Sequence, residues 1–226
     1  MRTQNWARQV WAIVVKDIAA ELHTREILSA MFVFAVTAML TFSFALDLRG
    51  AVGRDAAPGV VWTTIAFAGT LGLSRSLARE QQTGGIAGLL LAAGDRTVIF
   101  FGKSLGNTAM LLILEIALLP LGTVLFDANL LRPEIVLVVI LGTIGYAVAG
   151  TLLAAIAVNT RAREVMLPIL LLPLIVPLMI PAVQATAGLL EGLALAEVNN
   201  WMRVLVVYDL LIVAVAMLTF EYVIEA

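Results

Sequence analysis

Two carboxylates stand where lipid would surround them. Glu115 lies at the midpoint of the uncharged run 104–126, and Asp209 interrupts the run 204–224 nearer its outer end. A charge at the centre of a bilayer costs about 2.5–3.5 kcal/mol on insertion scales. Lys103 is twelve residues from Glu115, about 18 Å along a helix and out of pairing range. Glu115 is therefore protonated, bonded to another helix or facing a hydrated cavity. Two roles stay open for it: a cavity or conformational contact, and a structural interhelical hydrogen bond. Asp209 can reach water from its place in the run and carries the weaker signal.

Other chemistry fails on spacing. Gly102-Lys103-Ser104 ends like a phosphate-binding loop, but Thr97 stands where that loop needs a glycine and Val98 to Phe101 replace its flexible arc. Lys103 is read instead as an anchor at a membrane edge. His23 is the only histidine and there is no cysteine, so no metal-ligand set or c-type haem attachment is expected, and a Ser/His/Asp arrangement has one candidate base at most. Paired carboxylates with catalytic spacing are absent as well. No catalytic residue, metal or resident cofactor is expected; the chain does not read as an enzyme. Trp62, Trp201 and Tyr208 fall near the outer ends of apolar runs and read as interface anchors.

The elements that hold these residues follow from composition. Of 226 residues 62% are hydrophobic and 13% charged, where soluble domains have about 45–50% and 25%, and mean hydropathy is +1.02. A net charge of −2 gives no footing for nucleic acid. Six apolar runs are long enough for a hydrocarbon core of about 30 Å: about 27–46, 56–77, 104–126, 135–159, 165–187 and 204–224. None alternates like a membrane strand, so the expected fold is an all-α integral membrane protein, one permease-like domain over 1–226. Arg2, Arg8, Lys16, Arg25, Arg75, Arg79, Arg96, Lys103, Arg161 and Arg163 fall on one side, against Arg49, Arg54, Arg132 and Arg203 on the other. The positive-inside rule then makes both termini cytoplasmic.

Residues 5–22 form a separate amphipathic element. At 100° per residue Trp6, Val10, Ile13, Val14, Ile18 and Leu22 share a broad arc opposite Arg8, Gln9 and Lys16, as in a helix lying along a membrane surface. Asp17 and Glu21 sit inside that arc and continue at i+4 to Arg25. This row is either local helix support or a docking contact on basic residues of the second loop, Arg75 to Lys103. In that loop Ile86–Ala93 is too short to span and too apolar for water, so it lies in the headgroup region or docks on a cytoplasmic protein. Pro168, Pro173, Pro177 and Pro181 recur through the fifth run; each removes a backbone donor, which predicts a kinked or broken helix lying inside the bundle or at a subunit interface. A re-entrant-like outer segment is expected after it. Gly142, Gly145, Ala149, Gly150 and Ala154 make the fourth run a close-packing helix.

This plan resembles ABC-2-type permeases. Pro58-Gly-Val-Val-Trp62, Phe67 to Arg75 with Arg79-Glu80, Gly88-Leu-Leu-Leu91 with Asp95-Arg96 and Gly102-Lys103, and Leu167 to Pro177 together resemble the haem exporter protein B (CcmB) family, permease subunits of the cytochrome c maturation system, over nearly the whole chain. Ala87 and Ala93 stand where that family commonly has an acidic residue and a proline. The resemblance implies a subunit of the bacterial inner membrane that handles haem as substrate and leaves ATP to a separate ABC ATPase subunit. It further implies a haem-handling membrane protein, a periplasmic haem chaperone and a second permease copy as partners. Arg79, Glu80, Gly84, Gly88, Leu89, Leu90 and Leu91 would form the coupling contact on the ATPase. A generic ABC-2 exporter of lipid, glycan or drug would share the span plan. A non-ABC scaffold, or a proton-coupled carrier using Glu115 and Asp209, would not need the apolar loop helix.

Overall fold

The computed structural model describes residues 2–45, 50–82, 96–157 and 163–225 with the turns at 127–132 and 191–198, and side chains for 6–45, 52–76, 96–157 and 166–219. Among them are seven helices: α1 (Arg2–Thr24), α2 (Glu26–Ala45), α3 (Gly50–Gln82), α4 (Arg96–Phe126), α5 (Pro133–Ala157), α6 (Arg163–Leu190) and α7 (Asn199–Glu225). The last six are each long and apolar enough to cross a membrane. Helices suit such a sequence because they bond every interior backbone group within the segment. Residues 83–95, with Gly84, Gly88, Leu89, Leu90 and Leu91, and the expected apolar helix Ile86–Ala93, lie outside the described residues.

Helix ends are closed by recognisable chemistry. Arg25 adopts φ 54°, so α1 stops there and α2 starts at once. Buried Glu21 caps the new helix, its Oε1 accepting the backbone N–H of Leu28 at 2.8 Å, one of the donors a helix start leaves open. The Asp17–Glu21–Arg25 row thus does not run on as one helical face: the first two residues point inward, and Arg25 is exposed at the break. Past α6, Gly192 takes φ 95°, with Gly192 N–H donating to Leu189 and Leu193 N–H to Gly188, the paired bonds of a Schellman stop. The turn that follows is exposed from Glu191 to Glu197, so the expected re-entrant segment is a surface turn.

Helix α5 is the centre of the bundle and packs against α3, α4, α6 and α7. Its small residues set the distances. A Cβ on Gly142 would strike the Trp62 ring, one on Gly145 the Asp209 carboxyl, and one on Gly150 Leu73; on α3, Gly69 gives the same room to Tyr146. Lipid tails are as apolar as leucine, so close backbone approach, rather than exclusion of water, holds such helices together. Helix α2 is peripheral and buries one stripe, Ile27, Met31, Ala35, Met39 and Ser43.

Helix α6 narrows the expectation of a kinked or broken fifth span, since it is not broken. It is continuous through all four prolines, and α3 and α4 likewise continue through Pro58 and Pro120. Each proline deletes one i to i−4 bond, and spacings of four and five leave the intervening donors to carry the helix. Pro173 and Pro177 face outward while Pro181 is buried. In a membrane a freed carbonyl needs protein or water nearby.

The packing predicts opposite outcomes for two glycines. Gly142→Val should lower stability by about 1–3 kcal/mol through overpacking against Trp62. Gly59→Ala, with nothing within 4 Å of the added carbon, should not. Thermal melting of the detergent-solubilised protein reads both.

Candidate functional site: a clamped stem and three polar seams

Helix α1 packs on the start of α4, directly after residues 83–95. Arg79 and Glu80 fall on the last turns of α3, before Gln82, and α4 opens at Arg96. On the first turns of α4, Val98 joins Val10 and Ile13 of α1 in one apolar cluster flanked by Trp6 and Phe101. The Trp6 and Phe101 rings meet edge to face at 5.5 Å, and Trp6 Nε1 donates to Thr97 Oγ1 at 3.2 Å. Gly102 lets Ile13 approach, since a Cβ there would lie 2.8 Å from it. One turn on, Lys103 Nζ donates to Asp17 Oδ2 at 2.7 Å, with the two side chains 11% and 14% exposed. The lysine that imitates a phosphate-binding loop is thus the cation of a nearly buried ion pair.

Helix α1 has three faces rather than two. Val10, Ile13, Val14, Asp17 and Glu21 turn toward the bundle. The next strip, Trp11, Val15 and Leu22, is apolar and exposed, suited to a lipid interface. Arg8, Gln9, Lys16 and His23 form the polar remainder. The sequence put Leu22 on one surface-lying arc with Val10, Ile13 and Val14; those three dock on the bundle, and Leu22 belongs to the second strip.

Three polar seams cross the apolar bundle. On the α4 side of α5, Thr143 Oγ1 donates to Glu115 Oε1 at 2.6 Å, leaving Glu115 Oε2 buried without a hydrogen-bond partner among the described residues. Asn107 Nδ2 donates to Thr151 Oγ1 at 2.9 Å. On the α7 side, Asp209 packs on Gly145 with Oδ1 buried and likewise unpartnered, and Tyr208 Oη donates to the Leu174 carbonyl at 3.0 Å. On the α3 side, Tyr146 Oη lies 2.8 Å from Thr70 Oγ1 and donates to the Ala66 carbonyl at 2.7 Å. Trp62 Nε1 donates to Thr186 Oγ1 at 3.0 Å.

The structure changes two sequence readings here. Trp62 is 1% exposed and ties α3 to α6, so it is no interface anchor. Asp209 is half-buried and turns its Oδ1 into the bundle against Gly145, a contact that its place near the end of the run did not suggest. Glu115 and Asp209 meet α5 at Thr143 and Gly145, two positions about 200° apart on the helix, so they form separate seams. Sequence reasoning missed the Tyr146–Thr70 and Trp62–Thr186 ties; large polar-tipped aromatics in runs rich in glycine were the available signal.

Comparison with protein families matches residues 8–225 to the CcmB protein model. The chain belongs to the CcmB family. Comparison with curated proteins and with solved structures gives no match. Membership makes the chain a multi-pass membrane permease subunit of the haem-exporter ABC type, acting in cytochrome c maturation, and the type implies an ATPase partner. For a CcmB subunit the notable feature is that α1 is fastened to the first turns of α4, which follow the segment 83–95.

Two predictions test these contacts. Lys103→Met should cost about 1–2 kcal/mol, because Asp17 loses its nearly buried partner and keeps only the half-exposed Lys16, 3.1 Å from Oδ1, and Asp17→Asn with Lys103→Met should cost less than the two single changes summed; thermal melting of the four variants gives the coupling. Thr143→Val should destabilise by about 1–2 kcal/mol because Glu115 loses its donor, whereas Thr143→Ser should retain most of the stability.

Proposed function

We propose that this CcmB subunit converts ATPase motion into release of a haem-loaded periplasmic chaperone from a haem-handling membrane partner. It works in the bacterial inner membrane with both termini cytoplasmic and with a second permease copy. The observation that carries the reading is the fastening of α1 to α4 by the Lys103–Asp17 pair and the Trp6–Thr97 bond, immediately after the loop that would meet the ATPase. A push on 83–95, received with Arg79 and Glu80, would then move α1 and α4 together. Through Glu115–Thr143 that movement reaches α5, on which four helices pack.

Haem enters this reading as substrate. The chain has a single histidine, His23, on the exposed polar face of α1, and no cysteine. That inventory favours mechanical release over passage of haem along this chain. Among the rival readings, the generic exporter lacks the cytochrome c maturation context that the family carries.

Charge reversal tests the coupling. Arg79→Glu with Glu80→Arg should leave the ATPase hydrolysing ATP at close to its wild-type rate while cytochrome c maturation falls at least about tenfold. Unchanged maturation would remove the coupling role from these residues.

A further inference from the structure

Two recesses lie end to end along the seam between α3 and α6. The one nearer the membrane face opposite the termini has a volume of about 350 Å³ and is lined by Arg54, Asp55, Ala187, Leu190 and Glu191. About one turn further in on both helices, Gly59, Trp62, Thr63, Phe67, Met179 and Val183 line an apolar groove of about 570 Å³. From Val183 to Leu172 the groove follows α6 for about 16 Å. That matches the hydrocarbon depth of one leaflet, about 15 Å.

The groove is a gap the chain itself leaves open. Gly69, Gly72, Gly142, Gly145 and Gly150 each have a neighbouring side chain pressed against them, whereas a Cβ on Gly59 would meet nothing within 4 Å. The charges at the mouth are mixed: one guanidinium, Arg54, and two carboxylates, Asp55 and Glu191. Arg54 also lies 3.4 Å from Asp127, with both side chains more than half exposed, so that pair is weak and exchangeable.

We propose that the α3–α6 seam is a phospholipid site of the leaflet opposite the termini, selective for a zwitterionic head group bearing a primary amine. The head-group phosphate lies on Arg54 and its ammonium between Asp55 and Glu191, while one acyl chain lies along Gly59, Thr63 and Phe67 against Met179 and Val183. A purely anionic head group would set its charge beside two carboxylates and one guanidinium and is disfavoured there. Apolar length, leaflet depth and head-group charge all belong to one amphiphile lying in line. A helix of a second copy would fill the groove without meeting the charges at its mouth.

The test is native mass spectrometry of the full chain released from mixed micelles of phosphatidylethanolamine and phosphatidylglycerol. The wild type should retain one phosphatidylethanolamine, at about tenfold preference over phosphatidylglycerol. Gly59→Phe, whose ring fills open space rather than a packed contact, should lose that lipid. Arg54→Ala, at an exposed position, should weaken retention about tenfold, and Gly59→Ala should keep it. Retention by Gly59→Phe equal to wild type, or equal retention of phosphatidylglycerol, would overturn the site. So would disulfide formation between two copies of Thr63→Cys in the membrane, since it would put a second chain in the groove.

Discussion

The bundle depends on how closely other helices can approach α5. In lipid there is no water to expel from between helices, so packing contact and internally satisfied polar groups supply the stability. Gly142, Gly145 and Gly150 let Trp62, Asp209 and Leu73 come against the α5 backbone. Thr143 and Tyr146, in the same turns, supply the hydrogen bonds to Glu115 and α3. Enlarging any of these glycines displaces a neighbour from a separate helix. The glycines and the polar seams are therefore one constraint, because the short distances that the glycines allow are what bring the polar tips within bonding range.

Polar groups in this bundle are mostly satisfied locally, which makes the exceptions informative. The hydroxyls of Thr70, Thr108, Thr151 and Thr186 each donate to the carbonyl four residues back. That is the usual retreat of a hydroxyl within a membrane helix. Thr143 instead turns its hydroxyl to Glu115. Glu115 and Asp209 each keep one buried oxygen with no protein donor among the described residues. Any movement of α5 against α4 or α7 would alter the surroundings of these carboxyls directly. The polar seams are accordingly where packing and motion are linked.

Much of this was legible in the sequence, and the reasons it stopped are physical. Span number and helical type follow from hydropathy and length, and the close-packing character of α5 follows from its glycines. The docking of Asp17 on Lys103 could be framed only as one of two alternatives, because the two residues are 86 positions apart and periodicity ranks faces, not partners. Trp62 was misread because aromatic residues near span ends usually sit at interfaces; its burial depends on Gly142 eighty residues later. The continuity of α6 was hidden because proline propensity describes lost bonds and says nothing of those that remain. The groove at Gly59 was invisible because a cavity is a property of two helices at once.

The central claim is that α1 and the start of α4 move as one body when the ATPase acts. The chain has no cysteine, so spin labels can be placed at will, and Ala12, Leu105 and Leu195 are exposed. Pulsed electron–electron distance measurements on the subunit reconstituted with its ATPase partner, with and without nucleotide, provide the test. The account predicts an unchanged distance distribution for labels at Ala12→Cys and Leu105→Cys, together with a nucleotide-dependent shift between Ala12→Cys and Leu195→Cys. A nucleotide-dependent change in the first pair, or no response in the second, would contradict it.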